Sequence, residues 1–132
     1  MFIVGRLISL IVGYLFGAFQ TGYIYGKSQG IDIREHGSGN SGTTNTLRTL
    51  GKKAGAITFL GDLFKVFAAM LVIYFVFRKS YADGIRMLIL YTGFGCVLGH
   101  NFPFYLKFKG GKGIACTSAV VLAVSLRLLF VL

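Results

Sequence analysis

The sequence predicts an all-α integral membrane protein, with about four transmembrane helices in this chain. Three observations carry that expectation. Hydrophobic residues make up 55% of the 132 positions and the mean hydropathy is +0.71, above the roughly 45 to 50% apolar usage of soluble domains, a figure that includes glycine. Nineteen glycines come in addition, and a fold this short would lack the polar surface to cover so much apolarity in water. The apolar residues also fall into long runs, and the 14 Lys and Arg, against four Asp and Glu, lie mainly at the ends of those runs.

The first run follows Arg6 and is uncharged from Leu7 to Gly26, 20 residues. At 1.5 Å per residue it covers a hydrocarbon core of about 30 Å, which places a first span at 3–26. A cleaved signal peptide is disfavoured, because the run is long, lacks a small-x-small cleavage site and is followed by further spans. Gly13 and Gly17 within it form a G-x-x-x-G pair, a signal for close helix packing.

Residues 27–53 form a polar loop rich in Gly, Ser, Thr and Asn, with a short helix expected near Thr44 to Leu50, capped by Thr44 or Asn45. A second span is expected at 54–77. It carries Asp62 and Lys65, whose i, i+3 spacing puts them on one helical face. After the short basic connection from Arg78 to Arg86, a third span at 85–100 ends where His100, Asn101 and Pro103 interrupt the apolar run. A second polar loop, 100–113, leads to a fourth span at 114–132, in which Arg127 suggests a boundary between two helices. The whole reads as one membrane domain, 1–132. Its apolar end suggests an incomplete chain or a short variant that needs partners.

Charge sets the expected topology. The stretches 27–53 and 107–112 carry eight basic residues, against four in the N-terminus and the 78–86 connection. By the positive-inside rule both glycine-rich loops face the cytoplasm. Basic residues at the ends of apolar runs also favour anionic headgroups or phosphorylated substrates over nucleic acid. Cys96 and Cys116 lie in or beside apolar runs without a CxxC pattern or a histidine at metal spacing, so structural thiols are expected and no metal site.

The chemistry-bearing residues lie in the two loops and on the second span. Segment 37–48, GSGNSGTTNTLR, sets Ser38, Asn40 and Asn45 among three glycines and ends in Arg48. Glycines let backbone amides approach an oxyanion, and an arginine can hold a phosphate with two parallel bonds. Segment 99–113, GHNFPFYLKFKGGKG, joins His100 to Lys107, Lys109 and Lys112 around Gly110, Gly111 and Gly113. It is no nucleotide P-loop, because Lys112 is followed by Gly113 and not by a Ser or Thr that could bind magnesium. Asp62 and Lys65 read either as a helix-packing ion pair or as a pair in which Lys65 faces a polar cavity and Asp62 orients it. His100 reads as a general acid or base, an orienting donor or a helix-end cap.

At these residues the chain resembles the acyl-phosphate-dependent glycerol-3-phosphate acyltransferases of bacterial membranes. The resemblance is carried by GIDIREHGSGNSGTTNTLRTLG at 30–51, GDLFK at 61–65 and GHNFPFYLKFKGGKGIA at 99–115. It implies acyl transfer from a fatty acyl phosphate to the 1-hydroxyl of sn-glycerol 3-phosphate in the bacterial plasma membrane, giving lysophosphatidic acid and phosphate without a cofactor. It also implies a seven-helix fold of which this chain is the N-terminal part, with a C-terminal portion or a protein partner supplying the rest.

Ser38 and Arg48 are then the essential polar pair, with Asn40 and Asn45 in the same pocket. Gly110, Gly111, Lys112 and Gly113 belong to the part associated with glycerol 3-phosphate, and His100 and Lys65 match further polar positions. Two anionic substrates require fixed cations, for which Arg48, Lys65, Lys107 and Lys112 are the candidates. The attacking hydroxyl loses its proton to a donor phosphate oxygen or to His100. The competing readings are a small transporter for anionic or phosphorylated solutes and an inactive truncated membrane subunit.

Overall fold

In the computed structural model, residues 2–131 are described, with side chains to residue 125. The end of the fourth expected span at 132 and the side chain of Arg127 lie outside the described residues. Every regular element is helical: α1 (Phe2–Gly17), α2 (Thr21–Ser28), α3 (Thr43–Leu50), α4 (Lys52–Phe77), α5 (Ile85–Asn101) and α6 (Ile114–Val131), with single 3₁₀ turns at Ile33–Glu35 and Phe104–Leu106. Two stretches, Phe2–Ser28 and Lys52–Phe77, are long and apolar enough to cross a membrane.

α1 and α5 pack through glycine. The buried residues of α1 are Gly5, Ser9, Gly13 and Gly17, one small residue per turn. A Cβ at Gly13 would collide with the carbonyl of Thr92, and one at Gly17 with the backbone of Cys96. The relation is mutual, since a Cβ at Gly95 would meet the Leu10 carbonyl and one at Gly99 the Tyr14 carbonyl. Two small-residue stripes therefore bring backbone against backbone, as the G-x-x-x-G spacing on α1 leads one to expect.

α4 completes the core. Ala54, Thr58, Asp62, Lys65, Ala69 and Ile73 recur at helical spacing on its buried face. The lower part of that face joins Cys96 of α5 and Cys116 and Ala119 of α6 in one apolar cluster, and Ile73 joins Ile85 and Leu88 in a second. The opposite face is as apolar as the core, with Phe64 73% and Leu60 61% exposed. A helix that is hydrophobic all round belongs in lipid or between other apolar helices.

The first apolar run departs from expectation. It is not one helix, because the backbone leaves the helical path over Ala18–Gln20 and restarts at Thr21, with Gln20 extended at φ −102°, ψ 93°. The cause lies on α4. Lys65 points its ammonium at the gap and donates to the carbonyls of Gly17 (2.9 Å) and Phe19 (2.6 Å). Carbonyls freed by a break in an apolar helix need a donor, and a buried ammonium needs acceptors.

Candidate functional site

The first polar loop is shaped by three local devices. Asp32 caps the 3₁₀ turn by accepting from the Arg34 amide (3.0 Å), and its carboxylate also holds the Arg34 guanidinium at 3.1 and 2.8 Å. That guanidinium keeps the Asp32 carboxyl below the usual carboxylate range. Ile33, fully buried, anchors the turn, and Gly37 and Gly39 take left-handed conformations (φ 56° and 77°) that a larger residue adopts only with strain.

Asn45 is the hub of this loop. Its Nδ2 donates to the carbonyls of Ile33 (3.3 Å), His36 (2.9 Å) and Asn40 (2.9 Å), while Oδ1 accepts from the Ser38 amide (3.0 Å). This corrects two expectations. Neither Thr44 nor Asn45 caps α3; the N-cap is Gly42, with no side-chain cap bond. The Asn45 amide has no donor left for a ligand and acts on the site by holding Ser38 in place. Asn40 is likewise turned inward, its Oδ1 accepting from the Gly42 amide at 2.7 Å.

The second loop folds back on the end of α5. The Gly110 amide donates to Asn101 O (3.0 Å) and the Gly111 amide to His100 O (3.1 Å), closing the terminal carbonyls of the helix. A Cβ at Gly110 would strike the His100 carbonyl, and one at Gly111 the imidazole Nε2. These two glycines let the loop wrap His100, and their amides face α5.

Between the loops lies a cavity of about 440 Å³. Ser38, Asn40, Asn45 and Arg48 line it from the first loop and α3, Asp62 and Phe59 from α4, His100 from α5, and Lys112, Gly113, Ile114 and Ala115 from the second loop and α6. Gly42, Thr43 and Thr44 also line it, presenting the bare N-terminus of α3. First-turn amides there have no acceptor within the helix and attract anions. The structure thus gathers Ser38, Asn40, Asn45, Arg48, Asp62, His100, Lys112 and Gly113, and leaves Lys65, Lys107, Gly110 and Gly111 outside the lining. Lys107 is exposed, in a left-handed turn (φ 56°), and is not among the lining residues.

Asp62 and Lys65 form the ion pair that one reading expects (3.2 Å), while the other reading's placement is reversed: Asp62 lines the cavity and Lys65 lies behind it, only 4% exposed. The three ammonium protons of Lys65 go to Gly17 O, Phe19 O and His100 Nδ1 (2.8 Å). Asp62 Oδ1, 3.2 Å away, therefore receives charge compensation but no well-aligned hydrogen bond. An ammonium has only protons to give, so Nδ1 is the acceptor and the imidazole proton sits on Nε2. Arg48 and Lys112, by contrast, have no ion-pair or hydrogen-bond partner among the described residues. With Asp62 offset by Lys65, the cavity is net positive.

Comparison with known proteins adds to this geometry. The family model described as glycerol-3-phosphate acyltransferase matches residues 7–132. The chain belongs to the glycerol-3-phosphate acyltransferase family. It is 47% identical over 127 residues to the glycerol-3-phosphate acyltransferase of Clostridioides difficile (strain 630), covering 95% of this chain and 61% of that protein. To the corresponding protein of Alkaliphilus metalliredigens (strain QYMF) it is 49% identical over 121 residues, covering 91% and 58%.

The fold is similar to the crystal structure of PlsY (YgiH), an integral membrane glycerol 3-phosphate acyltransferase, in its glycerol 3-phosphate form. The TM-score is 0.77 at 40% identity, over 92% of this chain and 58% of that one. The lysophosphatidic acid form of the same protein gives a TM-score of 0.75 at 39% identity. This chain is thus an all-α membrane protein that spans about three fifths of the length of those two curated relatives.

Sequence reasoning missed two residues that build the site. Tyr105 lies within the 99–115 segment that carries the resemblance, and Gln20 within GAFQTGY at 17–23, but neither stands out there as a site residue. Gln20 was visible only as a polar side chain inside an uncharged run, and the bond from the Tyr105 hydroxyl to Ala18 O (2.7 Å) joins residues 87 apart.

Proposed function

We propose that this chain provides the glycerol 3-phosphate and acyl phosphate site of an acyltransferase. The 1-hydroxyl of sn-glycerol 3-phosphate attacks the carbonyl carbon of a fatty acyl phosphate, a new ester bond forms, the bond to the phosphate oxygen breaks, and lysophosphatidic acid and inorganic phosphate leave. The observation that carries this reading is the convergence of Arg48, Lys112 and the uncapped N-terminus of α3 on one cavity. Each is a phosphate-binding device, and together they suit two anionic substrates whose mutual repulsion must be offset.

Ser38, held by Asn45, orients a phosphoryl or carbonyl oxygen. Phe59, Ile114 and Ala115 supply the apolar wall against which the start of an acyl chain can lie. Nδ1 of His100 is occupied by Lys65, so the ring offers a proton through Nε2, and the hydroxyl proton passes to the departing phosphate. An acyl phosphate is already activated, so no covalent enzyme intermediate is required. Spans at 3–26, 54–77, 85–100 and 114–132 of a seven-helix fold would set both polar loops, 27–53 and 100–113, on the cytoplasmic face of a bacterial plasma membrane. The apolar outer faces of α1 and α4 support that arrangement.

The test is conversion of radiolabelled sn-glycerol 3-phosphate and palmitoyl phosphate into a solvent-extractable lysophospholipid by membranes carrying the chain. Label that enters vesicles unconverted would count for transport and against acyl transfer.

A further inference from the structure

We infer that Gln20 is a positioning residue that couples the two polar loops around the cavity. Its side chain is completely buried in the break between α1 and α2. Nε2 donates to the His100 carbonyl (2.9 Å), and Oε1 accepts from the Ser41 hydroxyl (3.0 Å). One amide thus grips the end of α5 on one side and the Ser38–Gly42 segment on the other. Both contacts lie next to cavity-lining residues, His100 itself and the Asn40 and Gly42 that flank Ser41.

The chemistry calls for an amide. The His100 carbonyl, which also takes the Gly111 amide at 3.1 Å, needs a donor, while the Ser41 hydroxyl needs an acceptor. Glutamine supplies both from one planar group; ionised glutamate has no donor, and an aliphatic residue has neither. The helix break makes the reach available, because at Gln20 the chain is extended and its side chain leaves the α1 axis. Tyr105 reinforces the same junction by donating to Ala18 O. The break is therefore a joint where the second loop, the first loop and Lys65 of α4 meet. Gln20 is the member that touches both the first loop and the α5 carbonyl on which the second loop folds back.

The effect of Gln20 on turnover rests on the acyl-transfer reading; the coupling itself does not. The experiment replaces Gln20 with Met, which is similarly long and unbranched but cannot bridge, and follows amide exchange in the purified chain. Exchange is expected to rise roughly tenfold in both 38–42 and 109–113, the equivalent of one lost buried hydrogen bond in each. A rise in one loop alone, or in neither, overturns the coupling. Should Gln20→Met not accumulate, Ser41→Ala removes the first-loop contact and leaves the His100 bond, so exchange must rise in 38–42 only; no rise there overturns the proposal.

With substrates present, Gln20→Met is expected to lower kcat by roughly tenfold or more, with KM for glycerol 3-phosphate within about twofold, as misplacement without lost contacts does. Ser41→Ala added to Gln20→Met should cost nothing further. Multiplication of the two single effects would show that the residues act separately and overturn the assignment. If the unsubstituted chain converts no substrate while exchange still rises in both loops, the acyl-transfer reading falls and the coupling stands.

Discussion

Lys65 and His100 meet at 2.8 Å, Nζ to Nδ1, with both side chains buried and with the ammonium also bound to the carbonyls of the α1–α2 break. This contact sets what each can do. Lys65 holds the interior together, and with Nδ1 taken by Lys65 the proton of the His100 ring sits on Nε2.

Lys65→Met is therefore expected to destabilise the fold severely. It strands two carbonyls and leaves Asp62, 1% exposed, as a buried charge without its counter-ion, a change that costs about 3 to 5 kcal/mol in comparable sites. Thermal unfolding in detergent measures this. Lys65→Met paired with Asp62→Asn should recover part of the loss; no recovery would show that the ion pair is not the main term.

If His100 serves as a donor, an amide should replace it in part. His100→Ala is expected to lower kcat by about 10² to 10³, as loss of one transition-state donor does elsewhere. His100→Gln should retain at least about a tenth of the original rate, because its amide nitrogen can still donate. Equal loss in both variants would point to proton abstraction by the ring.

Arg48 and Lys112 have no partner to lose among the described residues, so their removal should spare stability and act on substrates. Arg48→Ala is expected to abolish measurable acyl transfer, and Lys112→Ala to raise KM for glycerol 3-phosphate by roughly 10- to 100-fold, the worth of one charge-assisted bond. Steady-state kinetics beside a melting curve for each variant separates the two effects. An unaltered saturation curve for Lys112→Ala counts against its role.

The Asp32–Arg34 pair predicts a pH response of the first loop. Asp32 titrates below its ordinary value of 3.8 in the fold, so between the two values the unfolded loop binds more protons than the folded one. The contribution is present above pH 3.8 and is lost as pH falls through the lower, folded value. Proteolytic nicking within 29–36 should therefore rise on acidification, and in Asp32→Asn it should be raised already at neutral pH. Equal nicking of the two forms at neutral pH would show that the pair does not hold the turn.

Hydropathy and glycine spacing made the helices legible, because burial in lipid demands long apolar runs and the close approach of α1 to α5 demands small residues at a fixed period. The residues of the first loop could be nominated from the density of Gly, Ser, Asn and Arg at a membrane boundary, although a plain flexible loop has a similar composition, and those of the second from its lysines among glycines after His100. What stayed hidden depends on contacts distant in sequence. The break at Ala18–Gln20 has no proline or charge to announce it and is set by Lys65, 46 and 48 residues away from the carbonyls it binds. The inward turn of Asn45 follows from where Ile33, His36 and Asn40 place their carbonyls, which no local pattern encodes. Composition alone also does not distinguish Gly111, which packs on an imidazole, from a glycine that cradles phosphate.

The interlocked glycines of α1 and α5 also act as a vernier. Gly13 and Gly17 seat on the backbone at Thr92 and Cys96, while Gly95 and Gly99 seat on that at Leu10 and Tyr14. A slip of one residue would drive Tyr14 or Ala18 into a space that admits no side chain. The depth of His100 is thereby indexed to the break in the first run by a scale with one-residue gradations, and α1 serves as the gauge against which the cavity end of α5 is set.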